Sequence, residues 1–459
     1  MSDACGPRHA LVVAAIGSGS GKTTICNGLL RALSRRGLRC APFKTGPDYI
    51  DPYFHRLACG RESENLDLFM ASPSYAERLF ARHARGADVA VVEGVMGLFD
   101  GYDCRRGSAA EIAALTGAPV VLVIDARSTA YSLAAVIAGF RTFDPDVRIC
   151  GVIFNNVGSP AHSSLLLRAA ADGGVPCLGL VPRTPGMQTP SRHLGLAMDN
   201  TAEIEAYLEC AAGVVENNID IGRLLALTLR DAADTQAPAE APADMPGLEA
   251  LPDAGQWSGR TVAIARDEAF NFLYPANVRA LRNLVGPDGR VVEFSPLADT
   301  APPDADMLYF PGGYPELYAD RLAANRTMIE GVRRHAEHGG MIYGECGGLL
   351  YLSEALDSTP MCGLLPFRAT MRDARLTLGY RSVRIGATTI RGHEFHYSRL
   401  ENPDDLPSIA QQTDVHGRPA AARLYRRGRV VGGYTHLYWG ETPAARDLFD
   451  ALFPPPGNI

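Results

Sequence analysis

Short, unbroken apolar runs recur through the chain at Ala10–Ile16, Val89–Val92, Val120–Ile124 and Gly151–Phe154, with a weaker one at Cys177–Val181 and helical stretches between them. A strand that is apolar at every position must be covered on both faces, and strands alternating with helices build a parallel α/β sheet. The pattern starts again at Val262–Ala265 and continues through Val291–Phe294, Met307–Phe310 and Met341–Tyr343. Between the two series, DAADTQAPAEAPADMPGLEALPDAGQ is rich in Ala, Pro and acid and has no hydrophobic period, as a linker does. The chain of 459 residues is therefore expected to hold two doubly wound, mostly parallel-sheet domains, 1–230 and 258–459, joined by a linker over 231–257. In such sheets the site lies at the carboxyl ends of the strands.

Charge and cysteine content narrow the class of function. With 44 Lys+Arg against 51 Asp+Glu, the net charge of -7 argues against a broad nucleic-acid face. A local anion site remains compatible with it, because backbone N–H groups and one lysine can hold a phosphate. No apolar run approaches the ~20 residues of a membrane span. The stretch from Ala10 runs into a Gly/Ser turn rather than a cleavage site. None of the ten cysteines forms a C-x-x-C pair, so zinc and thioredoxin-like spacings are missing. Reduced cysteines and a cytoplasmic setting are expected.

The first apolar run ends in Gly17-Ser18-Gly19-Ser20-Gly21-Lys22-Thr23-Thr24 and enters the helical run Ile25–Leu33. Glycines at a strand-to-helix turn let successive N–H groups face a phosphate chain. Lys22 would reach the β/γ oxygens and the Thr23 hydroxyl would join Mg²⁺. The strict pattern wants Gly where this chain has Ile16. Two further clusters, Lys44-Thr45-Gly46-Pro47-Asp48-Tyr49-Ile50-Asp51 and Glu93-Gly94-Val95-Met96-Gly97-Leu98-Phe99-Asp100, bring acids to strand ends. There, acids can hold Mg²⁺ or handle the transferred phosphoryl group. Asp48 and Glu93, and after them Asp51 and Asp100, are assigned metal or substrate roles over the turn-forming alternative. Lys44 is assigned to phosphate. Asn155 either reads a base edge or forms a turn.

In the second half, Met341-Ile342-Tyr343 runs into Gly344-Glu345-Cys346-Gly347-Gly348. Small residues around a central nucleophile suit a strained elbow, and the helix that follows is expected to lower the thiol pKa. Pro311-Gly312-Gly313-Tyr314 offers N–H groups for an oxyanion. Gly432-Gly433-Tyr434-Thr435-His436 is read as a strand ending on a general base, ranked above His393 and His396 of Gly392-His393-Glu394-Phe395-His396-Tyr397-Ser398. In that order, the elements describe a Cys–His amidase.

Taken together, K-T-G-P-D-Y-I-D-P, V-E-G-V-M-G-L-F-D-G, F-P-G-G-Y-P-E and G-H-E-F-H-Y-S resemble the cobyrinic acid a,c-diamide synthase family over nearly the whole chain outside the linker. The first half resembles the dethiobiotin synthetase type of P-loop fold, whose relatives share the late first glycine. The second resembles class I glutamine amidotransferases. Many of those carry Glu two residues after the catalytic His, where this chain has Tyr438. A Cys–His dyad is what remains, and the sequence names no substitute.

The resemblance implies ATP and Mg²⁺, with Gly19, Gly21, Lys22, Thr23, Thr24, Lys44 and Asn155 on the nucleotide and Thr23, Asp48 and Glu93 on the metal. Asp48, Asp51, Glu93 and Asp100 would handle substrate and phosphoryl group. Cys346 and His436 would release ammonia from glutamine beside an oxyanion hole at Gly312 and Gly313. A carboxylate of the corrinoid would become an acyl phosphate and then an amide, once at the c and once at the a acetate chain. Hydrogenobyrinic acid and nickel sirohydrochlorin are the rival substrates. A partitioning-type ATPase switch and a stand-alone thiol hydrolase are the rivals of other classes. Expected partners are L-glutamine and a tetrapyrrole acid, with a homodimer as the candidate assembly and neither nucleic acid nor membrane.

Overall fold

The computed structural model describes residues 6–185, 187, 201–230, 255–441 and 444–454. The chain divides into two compact units, Met1–Leu68 with Ser72–Ala243, and Phe69–Ala71 with Asp244–Ile459. Most of the expected linker lies outside the described residues. Its last three, Gly255–Trp257, form a 3-10 turn whose Trp257 is buried against Phe449.

The first unit is a seven-stranded sheet of β1 (His9–Ala15), β2 (Cys40–Thr45), β3 (Glu64–Leu66), β4 (Val89–Glu93), β5 (Val120–Asp125), β6 (Ile149–Val157) and β7 (Cys177–Pro182). The order is β3-β2-β4-β1-β5-β6-β7, and every pair is parallel. After β1 the chain crosses to one side, and after β4 it returns to the other, so the strand order reverses at β1. That is where such sheets open a crevice at their carboxyl ends. Helix α1 (Lys22–Arg35) begins there and buries Ile25, Cys26, Leu29, Leu30 and Leu33, the 3.6-residue stripe that keeps it on the sheet. The five expected strands are present: β1 is shifted one residue toward the N-terminus and leaves Ile16 outside, and the other four run one to three residues longer at their ends. β2 is the short strand that leads into the Lys44 cluster, and β3 is the addition, too short at three residues to show a pattern.

The second unit centres on β8 (Thr261–Ala265), β9 (Arg290–Phe294), β10 (Met307–Phe310), β11 (Met341–Glu345) and the strands Val430–Gly433 and Leu424–Arg427. Only the outermost strand, Leu424–Arg427, is antiparallel. Alternation divides the sheet cleanly. Ala263, Leu308 and Ile342 enter one core, while Ile264, Tyr309 and Tyr343 enter the other. Two smaller sheets add to this mostly parallel layer. One is antiparallel and holds Gln411–Thr413, Thr377–Ile385, Thr388–His396 and His436–Tyr438. The other joins Thr359–Pro360, Ala355–Leu356, Arg368–Thr370 and Arg399–Glu401. His436 is thus corrected from the end of one strand to the start of another. Val430–Gly433 stops at Gly433, and His436 opens an edge strand of the antiparallel sheet.

Candidate functional sites

In the first unit, Gly21 holds φ 92° at the start of α1. A Cβ there would lie 2.2 Å from Asn155 Nδ2, which donates to the Ser20 carbonyl at 3.1 Å. Asn155 therefore clasps the loop from the end of β6. At Gly17 and Gly19 a Cβ would meet open space among the described residues, leaving room for a phosphate chain. Lys22 Nζ donates to the carbonyls of Gly17 and Met96, so it crosses the loop mouth. Thr24 Oγ1 donates to the Met187 carbonyl.

Behind the loop lies a buried charged cluster. Thr23 Oγ1 donates to Glu93 Oε1 at 2.6 Å and faces Asp51 Oδ2 at 3.3 Å. Lys44 Nζ is 2.5 Å from Asp51 Oδ2, 2.9 Å from Glu93 Oε1 and 3.8 Å from Asp48 Oδ2. Burial works against the Lys44 charge, but Asp51 and Glu93 outweigh it and raise the ammonium's pKa. Burial likewise opposes the Glu93 charge, yet Lys44 and His55 hold that carboxyl well below its usual range. Asp48 Oδ1 accepts from the N–H groups of Ile50 and Asp51 at the start of α2 (Ile50–Cys59). Asp51, not Asp48, is the aspartate that meets Thr23. Asp100 Oδ2 accepts from Gly97 N within its turn.

Sequence reasoning missed His55. It links Ser63 Oγ (3.0 Å from Nδ1) to Glu93 Oε2 (2.7 Å from Nε2), and Cys26 Sγ lies 3.8 Å away. One turn beyond Asp51 on α2 it is on the same face, which is the one signal the sequence offered.

In the second unit, Cys346 joins β11 to the helix Gly347–Leu352 with φ 47° and ψ -102°, a strained elbow. The glycines around it are steric requirements. A Cβ on Gly348 would lie 2.0 Å from the Phe310 carbonyl, and one on Gly347 would lie 3.0 Å from Gly313 N. One on Gly313 would meet the Ala269 carbonyl at 2.0 Å, and one on Gly312 would overlap His436 Cε1 at 2.1 Å. Elbow, glycine turn and His436 ring are thereby brought together, at the carboxyl ends of β11, β10 and Val430–Gly433.

The thiol departs from its expected titration. Burial, and then the Glu316 carboxylate, push the Cys346 pKa up. Six helical residues do not offset that desolvation. Burial also lowers the His436 pKa, with His393 and His396 adding to the shift, so the imidazole is neutral at pH 7. The His393 ring stacks on His436 at 5.1 Å between centroids. His396 lies flat on Tyr434 at 3.7 Å, with Nδ1 2.8 Å from the Ser398 carbonyl. Burial takes its pKa down to about 4.

Residues 11–196 match the CobQ/CobB/MinD/ParA nucleotide binding domain, and residues 261–444 match the CobB/CobQ-like glutamine amidotransferase domain. Over 439 residues the chain is 41% identical to the hydrogenobyrinate a,c-diamide synthase of Brucella abortus, covering 93% of this chain and 97% of that one. It is 39% identical to the cobyrinate a,c-diamide synthase of Salmonella typhimurium, covering 95% and 96%. The chain belongs to the cobyrinate/hydrogenobyrinate a,c-diamide synthase family. Another member, the hydrogenobyrinate a,c-diamide synthase of Rhodobacter capsulatus, is 42% identical, with 95% of this chain and 99% of that one covered. Membership in this synthase family, over both units, separates the chain from a partitioning-type switch and from a lone thiol hydrolase. Among the described residues no helix is long and apolar enough to cross a membrane.

Proposed function

We propose that this protein is an ATP-dependent, glutamine-hydrolysing ligase that converts the a and c acetate carboxylates of cobyrinic acid to amides. The observation carrying the amidase half is the meeting of the Cys346 elbow, the Gly312-Gly313 turn and His436. We assign 1–230 as the synthetase domain, 231–257 as linker and 258–459 as the amidotransferase domain, working in the cytoplasm. A homodimer is included in the proposal and is read by sedimentation of the purified chain.

In the amidase half, Cys346 keeps its proton at rest and the neutral His436 accepts it as sulfur attacks the glutamine side-chain amide. N–H groups of the Gly312-Gly313 turn receive the developing oxyanion. His436 returns the proton to the leaving ammonia, and water hydrolyses the thioester to glutamate. In the synthetase half, the glycine loop and Lys22 hold the ATP phosphates, with Asn155 fixing the loop. Oxygen donors of Thr23, Asp51 and Glu93 fit Mg²⁺ in place of the expected Thr23, Asp48 and Glu93. Bound there, Mg²⁺ would supply charge neutralisation for the phosphates. Lys44 balances the two carboxylates, Asp48 shapes the start of α2, and Asp100 holds its turn beside Lys22. The substrate carboxylate takes the γ-phosphoryl group, because a carboxylate oxygen leaves poorly, and ammonia then displaces phosphate.

A second reading, hydrogenobyrinic acid as the substrate, is favoured by the 41 and 42% identical relatives named for it. Purified protein given ATP, Mg²⁺, glutamine and each tetrapyrrole acid in turn tests both. The expected result is two ADP, two phosphate and two glutamate for each diamide formed, with one of the two rings. ATP turnover indifferent to any tetrapyrrole acid would overturn the proposal.

A further inference from the structure

Among the described residues, the strand His436–Tyr438 is paired along one edge only, with Thr388–His396 in the register Arg391↔Tyr438, Gly392↔Leu437 and His393↔His436. Approach on that side is close enough that a Cβ on Gly392 would lie 2.1 Å from the His436 carbonyl. Along the other edge, two buried side chains take the place of a neighbouring strand. Leu437 N donates to Glu345 Oε1 at 3.0 Å, and the Leu437 carbonyl accepts from Asn277 Nδ2 at 2.9 Å. Trp439 N donates to Asn277 Oδ1 at 2.9 Å. Glu345 is itself fixed, with Tyr309 OH donating to Oε2 and Tyr343 OH to Oε1, both at 2.8 Å. It also immediately precedes Cys346, whose N–H bonds to the Gly433 carbonyl at 2.8 Å. One carboxyl thus ties the residue before the nucleophile to the residue after the base. Tyr438, two residues past His436, packs edge-on against Tyr274 at 5.2 Å.

We propose that Glu345 and Asn277 are positioning residues that hold the backbone immediately after His436 in register with Cys346, a backbone clamp in place of a third carboxylate acting on the imidazole. The inference rests on reading His436 as the base. Buried groups gripping three backbone sites fix an edge strand more firmly than a single ring contact, and a displacement near 1 Å is enough to cost about 10²-fold in rate.

Steady-state glutamine hydrolysis by Glu345→Ala and Asn277→Ala in the full chain tests it. A fall in kcat of about 10²-fold is expected, with KM for glutamine within threefold and ammonia-dependent amidation within twofold of the parent. Glu345→Gln, which still accepts from Leu437 N, should recover most of kcat. The decisive arm is the double variant. In a His436→Ala background, Glu345→Ala should cost nothing further, because a positioning residue has no base left to position. A further loss there, or equal losses of kcat and of ammonia-dependent activity, would overturn the clamp in favour of a general structural role. Should either alanine variant fail to fold, Asn277→Asp keeps the Trp439 bond while losing the Leu437 one, and carries the same expectation at a smaller loss. If His436→Ala retained full glutaminase activity, the base assignment itself would fall. If it lost activity while the Glu345 and Asn277 variants kept theirs, only the clamp would.

Discussion

Lys44 is a buried cation between two buried carboxylates, and its removal leaves Asp51 facing Glu93 with the ammonium gone and only the His55 imidazole beside Glu93. Lys44→Met should lower the stability of the first unit by about 3–5 kcal/mol, read from denaturant unfolding, because an unpaired buried charge is what makes such breaks costly. A loss below about 1 kcal/mol would show that the cluster relaxes without it. At Cys346, the Glu316 carboxylate and burial both disfavour the thiolate. Glu316→Gln removes the negative neighbour, so the thiol pKa should fall and the pH midpoint of iodoacetamide alkylation should move down. A midpoint that stayed or rose would contradict the electrostatic account. Residue types were readable in the sequence at both sites, since Gly-Lys-Thr and Gly-Glu-Cys-Gly-Gly declare their backbone requirements locally. Partners brought by other elements were not. His55, Glu345 and Asn277 look like ordinary helix or strand residues until their neighbours are known, and the choice of Asp51 over Asp48 depends on how α2 begins.

At the scale of elements, the close packing of turns carries the chemistry. The Gly312 turn touches the His436 ring so closely that Gly312→Ala must displace one of them. Glutamine hydrolysis should fall by about 10²–10⁴-fold, the worth of a positioned base. Ammonia-dependent amidation should survive, and parallel assays with glutamine and ammonium chloride check the difference. Parallel strands were legible because their apolar runs are continuous. The antiparallel sheet was less so. Thr377–Ile385 alternates and contains Arg381 and Arg384, which reads as a solvent-facing segment, and the Tyr434-Thr435 passage between two sheets has no local mark. The helix after Cys346 was foreseen, but its effect on the thiol was not, because desolvation depends on what covers the sulfur.

For the whole molecule, one glycine phosphate loop appears among the described residues, whereas the proposed product carries two new amides. A single synthetase site must then take the ring in two orientations, and free monoamide should accumulate early and be consumed later in a time course. Diamide alone, with substrate in large excess over enzyme, would argue for processive amidation. The central claim is that one unit makes ammonia with Cys346 while the other activates carboxylates with ATP. Its most direct test is amide synthesis by Cys346→Ala with either nitrogen source. We expect glutamine-dependent synthesis to vanish and ammonium at alkaline pH to restore an amidation that still consumes ATP and is lost again with Lys22→Ala. Glutamine-dependent synthesis persisting in Cys346→Ala, or ammonium failing to rescue the folded variant, would contradict it.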